Sequence, residues 1–114
     1  MISKQKISKA LHELGMPANL NGYAYIISAI EMCSQDQKLV RAITKQLYPD
    51  IAKIHNVKPQ NVERTIRHAI QVAFSRTDRG IMIDAVFGNS IRDNKGYPTN
   101  AQFIAMLTEY LLYN

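Results

Sequence analysis

The sequence predicts an all-α protein, a compact bundle of six to seven helices containing a helix-turn-helix. Three observations carry this. Apolar residues recur every three or four positions along most of the chain, and no stretch alternates convincingly with period two. Helix stops and caps punctuate those stretches at short intervals. The segment 48–67, YPDIAKIHNVKPQNVERTIR, spaces a small residue, a turn residue and apolar anchors as two crossing helices require.

Residues 1–9 are polar and basic and read as a linker remnant or frayed start, with helix beginning within residues 3–8. Ile7, Ala10, Leu11 and Leu14 mark the first apolar face, and Gly15 followed by Pro17 is a helix stop. Residues 16–21 form a loop in which Asn21 can cap the next helix. Residues 22–33 are mostly apolar, with Tyr23, Ile26, Ile27, Ile30 and Cys33 at helical spacing, so this helix is expected at the centre. Cys33 reads as a packed small hydrophobe, because no activating partner is indicated. Ser34 and Asp36 offer caps for a helix running to about Leu47, with Leu39, Val40, Ile43 and Leu47 inward.

Pro49 and Asp50 suit the start of a short helix, which Asn56 can end in the left-handed conformation. Residues 59–75 form the next helix, and residues 77–80 a turn. Residues 81–87 make a short apolar helix stopped by Gly88, and residues 89–98 a polar loop. Thr99 and Gln102 have the spacing of a capping box, followed by Phe103, Ile104, Met106, Leu107, Leu111 and Leu112 on a terminal helix.

At 114 residues and 46% apolar, the chain fits one domain with a real core, spanning residues 1–114. Lys and Arg outnumber Asp and Glu by 14 to 9, a net charge of +5 that suits a polyanionic partner. One cysteine excludes an intrachain disulfide and a Cys-rich metal site. There is no apolar run long enough to span a membrane and no signal-peptide core, so a cytoplasmic protein is expected.

Drawn at about 100° per residue, helix 59–75 has two clean faces. Val62, Ile66, Ala69, Ile70 and Ala73 fall on one side; Gln60, Arg64, Arg67 and Gln71 fall opposite, flanked by Glu63 and His68. From this helix alone, a solvated ion-paired face and a DNA-reading face explain the stripe equally well. The residues upstream separate them. A helix-turn-helix needs a small residue where its helices touch, and Ala52 supplies it. It needs a turn residue tolerant of positive φ four positions on, and Asn56 supplies it. Val57 and Val62, with Ile51 and Ile66, lock the crossing. Lys58 is a weak N-cap. Arg64 and Arg67 can contact guanine in bidentate fashion, Gln71 suits adenine, and Glu63 can accept from cytosine or orient Arg67. Lys58, Gln60, His68 and Arg76 are placed to touch or lie near phosphates.

Residues 11–106 resemble the C-terminal DNA-binding domain of the master sporulation response regulator of endospore-forming bacteria, the stage-zero sporulation protein A family. The carrying phrases are LYPDIAK, VER-x-IRHAI and PTN-x-x-FIAM. The resemblance implies a six-helix bundle that binds promoter DNA, often as tandem copies, and contacts a sigma subunit of RNA polymerase. It implies base reading by Glu63, Arg64 and Arg67, with Asn61 and His68 near the DNA backbone. It also implies that the segment carrying Ile81, Asp84 and Phe87 meets polymerase, whereas the residues by themselves read Ile81, Met82 and Phe87 as core or dimer contacts. The family tends to place small hydroxyl residues at Lys58 and Pro59, and commonly Glu at Gln71. Nothing in the chain supplies the family's phosphoacceptor receiver domain, so it reads as an effector domain, excised or stand-alone.

Two other classes compete. For an enzyme, His12, His55 and His68 lack metal-ligand spacing, and there is neither a P-loop nor a dinucleotide glycine fingerprint; no catalytic residue, metal or cofactor is expected. The other is an all-helical protein-interaction module that has lost DNA reading. RNA-module signatures are missing.

Overall fold

The computed structural model describes residues 2–75, 80–88 and 96–114. It is all-helical: α1 (Lys4–Glu13), α2 (Asn21–Gln35), α3 (Tyr48–His55), α4 (Pro59–Phe74), α5 (Ile81–Phe87) and α6 (Asn100–Tyr113), with two short helical segments between α2 and α3. No strand occurs among the described residues.

The start of the chain is more ordered than its polar composition implies. Ser3 caps α1 by accepting from the Lys6 amide at 3.1 Å, and Ile2 is buried together with Ile7. The expected frayed start is therefore corrected: two buried isoleucines and a serine cap hold it. Lys6 also reaches across the molecule, its Nζ donating to the Leu111 carbonyl at 2.8 Å in the last turn of α6. That carbonyl is among those with no partner within their own helix, and the cation complements the helix dipole there.

α1 ends as its glycine predicts. Gly15 has φ 85°, with the Met16 amide bonded to the Leu11 carbonyl and the Gly15 amide to His12, both at 3.0 Å. This is the paired-bond termination in which a left-handed residue satisfies the last carbonyls. Met16 is then tucked into the core.

α2 is central, as its composition implies. Tyr25, Ile26, Ala29, Ile30 and Cys33 are all buried. Burial pushes the Cys33 thiol up to about 11, with the Asp36 carboxylate adding to it, so the group stays protonated at neutral pH. Asn21 does not cap this helix; Leu20 occupies the cap position and Asn21 is its first residue.

The helix expected between residue 34 and Leu47 is not continuous. Ser34 lies inside α2, its hydroxyl donating to the Glu31 carbonyl at 2.7 Å. Asp36 caps a 3₁₀ helix, Gln37–Arg41, and a π-helical segment, Ile43–Leu47, follows a break at Ala42. Leu39, Ile43 and Leu47 are nevertheless all buried.

The close crossing of α2 and α4 fixes the frame. A Cβ placed on Gly22 would lie 2.5 Å from the Thr65 carbonyl oxygen and 2.7 Å from Ala69 Cβ, so only glycine allows this approach. Three phenylalanines join the other side. Phe74 at the end of α4, Phe87 on α5 and Phe103 on α6 pack with ring centroids 5.5–6.3 Å apart.

α6 begins with the predicted capping box. The Gln102 amide donates to the Thr99 hydroxyl at 3.1 Å, and the Thr99 amide to the Gln102 side chain at 2.9 Å. The next residue does more. Asn100 Nδ2 donates to the Glu63 backbone carbonyl at 2.9 Å and to the Tyr48 hydroxyl at 3.0 Å, so one amide ties α6 to both α3 and α4.

Candidate nucleic-acid interface

α3 and α4 form the expected helix-turn-helix arrangement. Ala52 is buried, as are Ile51, Val62 and Ile66. Asn56 has φ 56° and ψ 50°, and it is the one non-glycine residue with positive φ among those described. The Val57 amide bonds to the Ala52 carbonyl at 2.9 Å and the Asn56 amide to Lys53 at 3.4 Å, the same termination that ends α1. Asparagine tolerates this region because its short amide costs little there. Lys58 stands at the N-cap of α4 without a side-chain cap bond, and Pro59 occupies the first turn, where its missing N–H costs nothing.

The inward face of α4 is Val62, Ile66, Ala69, Ile70 and Ala73, all buried. The outward face carries the candidate readers. Arg67 Nη1 donates to both carboxylate oxygens of Glu63, at 2.7 and 2.6 Å, one helical turn back. Both side chains remain substantially exposed, 50% and 37%. Such a pair contributes about 0.2–1 kcal/mol, little enough that either partner can exchange it for a base edge. Arg64 is exposed and has no ion-pair partner among the described residues. Lys58, Gln60 and His68 are also exposed.

Two predicted contacts are partly engaged within the fold. Asn61 Oδ1 accepts from the Thr65 hydroxyl at 2.8 Å, which turns one side of its amide inward. Gln71 is half-buried and donates to the Tyr97 hydroxyl at 3.1 Å, joining α4 to the segment before α6. Arg76 lies outside the described residues.

On α5 the three polymerase-contact candidates separate. Ile81 is 90% exposed and Asp84 is exposed, but Phe87 is 2% exposed within the phenylalanine cluster. Phe87 is corrected from a surface contact to a core residue: its ring faces Phe74 and Phe103 because α5 must bury one side against α4 and α6.

Some residues that shape this surface were not legible as such in the sequence. Asn100 and Tyr48 hold the backbone of α4 at Glu63, the residue that also pairs with Arg67. Burial pushes the Tyr48 phenol above its ordinary range, against the lowering effect of the Asn100 bond, so it stays a neutral acceptor for that amide. Gly22 was visible as a glycine inside an apolar helix, a pattern that signals close packing.

Across residues 7–111 the chain matches the family model described as "Sporulation initiation factor Spo0A C terminal". The chain belongs to that family. The Spo0A C-terminal domain is a DNA-binding regulatory domain of a sporulation transcription factor, and not an enzyme family. Its match begins inside α1 and ends inside α6, so it takes in the helix-turn-helix and the α6 clamp together. Among the described residues, no helix is long and apolar enough to cross a membrane.

Proposed function

We propose that this chain binds double-stranded promoter DNA in a sequence-specific way, with α4 in the major groove, and thereby regulates transcription. The observation that carries the reading is the outward face of α4. It presents Arg64 and Arg67 beyond a left-handed Asn56 turn and a buried Ala52 contact, on a chain of the Spo0A C-terminal family. Arg64 and Arg67 read guanines. Glu63 sets the pose of Arg67 or accepts from cytosine, and Gln71 reaches the edge of the element. Lys58, Gln60, Asn61 and His68 hold the backbone.

Selection of bound duplexes from random DNA at two salt concentrations tests this. The expected result is a short enriched element, with affinity falling at a log–log slope of about −0.9 per phosphate contacted. A partner held with no salt dependence, and no enriched element, would favour a protein-interaction module instead.

Tandem copies on DNA and a sigma subunit of RNA polymerase as partner belong to the same proposal. The exposed pair Ile81 and Asp84 on α5 is the surface offered to polymerase. Ile81→Ser and Asp84→Asn are expected to lower transcription from a bound promoter while leaving DNA affinity unchanged. A parallel fall in affinity would make α5 part of the DNA-binding frame.

A further inference from the structure

The start of α2 and the side of α4 border an open cleft of ≈ 520 Å³, walled by Asn19, Leu20, Asn21 and Gly22 on one side and by Arg64, Thr65 and His68 on the other. Gly22 fixes the spacing of its walls, because the absence of a Cβ lets the start of α2 lie against the α4 backbone at Thr65. Asn19, Asn21, Arg64 and His68 are all exposed. No carboxylate lines the cleft. Glu63, the one acid on the outer face of α4, is paired with Arg67. The cleft therefore offers amide donors, an imidazole and Arg64, which has no ion-pair partner among the described residues, a set suited to an anion. It is also continuous with the reading face, since Arg64 belongs to both.

From this placement we infer that Asn19 and Asn21 are positioning residues for DNA: with His68 they grip a backbone phosphate of the strand bordering the groove that α4 enters. The inference rests on the DNA-binding reading above. Arg64 borders the cleft and also belongs to the outward face of α4, so a phosphate seated beside it fixes the depth and rotation of α4. The loop before α2 thus acts in recognition although it lies outside the helix-turn-helix, about 40 residues upstream of Arg64 in sequence.

The test uses the selected duplex and a random duplex, each with single phosphates replaced by neutral methylphosphonates. Asn19→Asp combined with Asn21→Asp is expected to weaken binding about tenfold or more on both duplexes, because a hydrogen bond to a charged group is lost and a repulsion added. In the wild type, one neutralised phosphate per bound copy is expected to weaken binding. In the Asn19→Ala, Asn21→Ala variant that same replacement is expected to lose most of its effect. Wild-type affinity in the aspartate variant, or a phosphate scan identical in the alanine variant, would overturn the inference while leaving DNA binding intact. A wild-type protein that binds no duplex at all would overturn both readings. Neither asparagine side chain bears a hydrogen bond among the described residues, so melting temperatures are expected to stay at the wild-type value.

Discussion

Gly22→Ala is expected to lower the melting temperature by about 5–20 °C, corresponding to roughly 1–3 kcal/mol of overpacking in a domain of this size. The added carbon would sit 2.5 Å from the Thr65 oxygen and 2.7 Å from Ala69 Cβ. The first of these is backbone, so relief requires the two helices to separate. The gain in helix propensity from glycine to alanine, about 0.5–1 kcal/mol, offsets only part of this. Gly22→Val adds two more methyl groups toward the same backbone and is expected to cost still more. Thermal unfolding followed by circular dichroism measures both. A Gly22→Ala variant that melts at or above the wild type would show that the α2–α4 contact is not limiting.

Arg64→Ala and Arg67→Ala are each expected to weaken binding to the selected duplex by about 10–100-fold, the value of one bidentate guanine contact of roughly 1–3 kcal/mol. They should differ on random DNA. Arg64 has no acidic partner among the described residues, so its removal leaves no orphaned charge and should chiefly erase discrimination at one base pair. Arg67 neutralises Glu63 through two oxygens. Its removal frees a carboxylate facing the phosphates and should weaken random binding as well. Adding Glu63→Gln to Arg67→Ala should restore the random component and leave the specific loss in place. Titration of both duplexes with the wild type and the three variants checks this. Equal losses on specific and random DNA for Arg64→Ala would remove it from base reading.

Elements whose logic is local were legible in the sequence. Gly15, Asn56 and the Thr99–Gln102 box act within one turn of the chain, and their bonds are those that residue chemistry dictates. The two faces of α4 follow from the periodicity of residues 59–75. What depends on a distant partner was not legible. The break at Ala42 is not announced by spacing, because Leu39, Ile43 and Leu47 are buried here and would share one face of a continuous helix as well. Residue chemistry reads Phe87 as a core or dimer contact, and only Phe74 and Phe103 decide between the two. The same holds for the site. The outward side chains of α4 could be named from spacing. The Asn100 clamp, the Gln71–Tyr97 bond and the Asn19–Asn21 wall join residues separated by 26 or more positions.

The two ends of α6 bear on opposite sides of the molecule. At its first residue Asn100 holds the Glu63 carbonyl, and near its last turn Leu111 receives the Lys6 ammonium. They are two points on one helix of 14 residues, set roughly 17 Å apart along its axis at 1.5 Å per residue. Mechanically α6 is a strut. A force applied to α1 would be delivered through one stiff rod to the backbone beside Arg64, with no loop in between to absorb it.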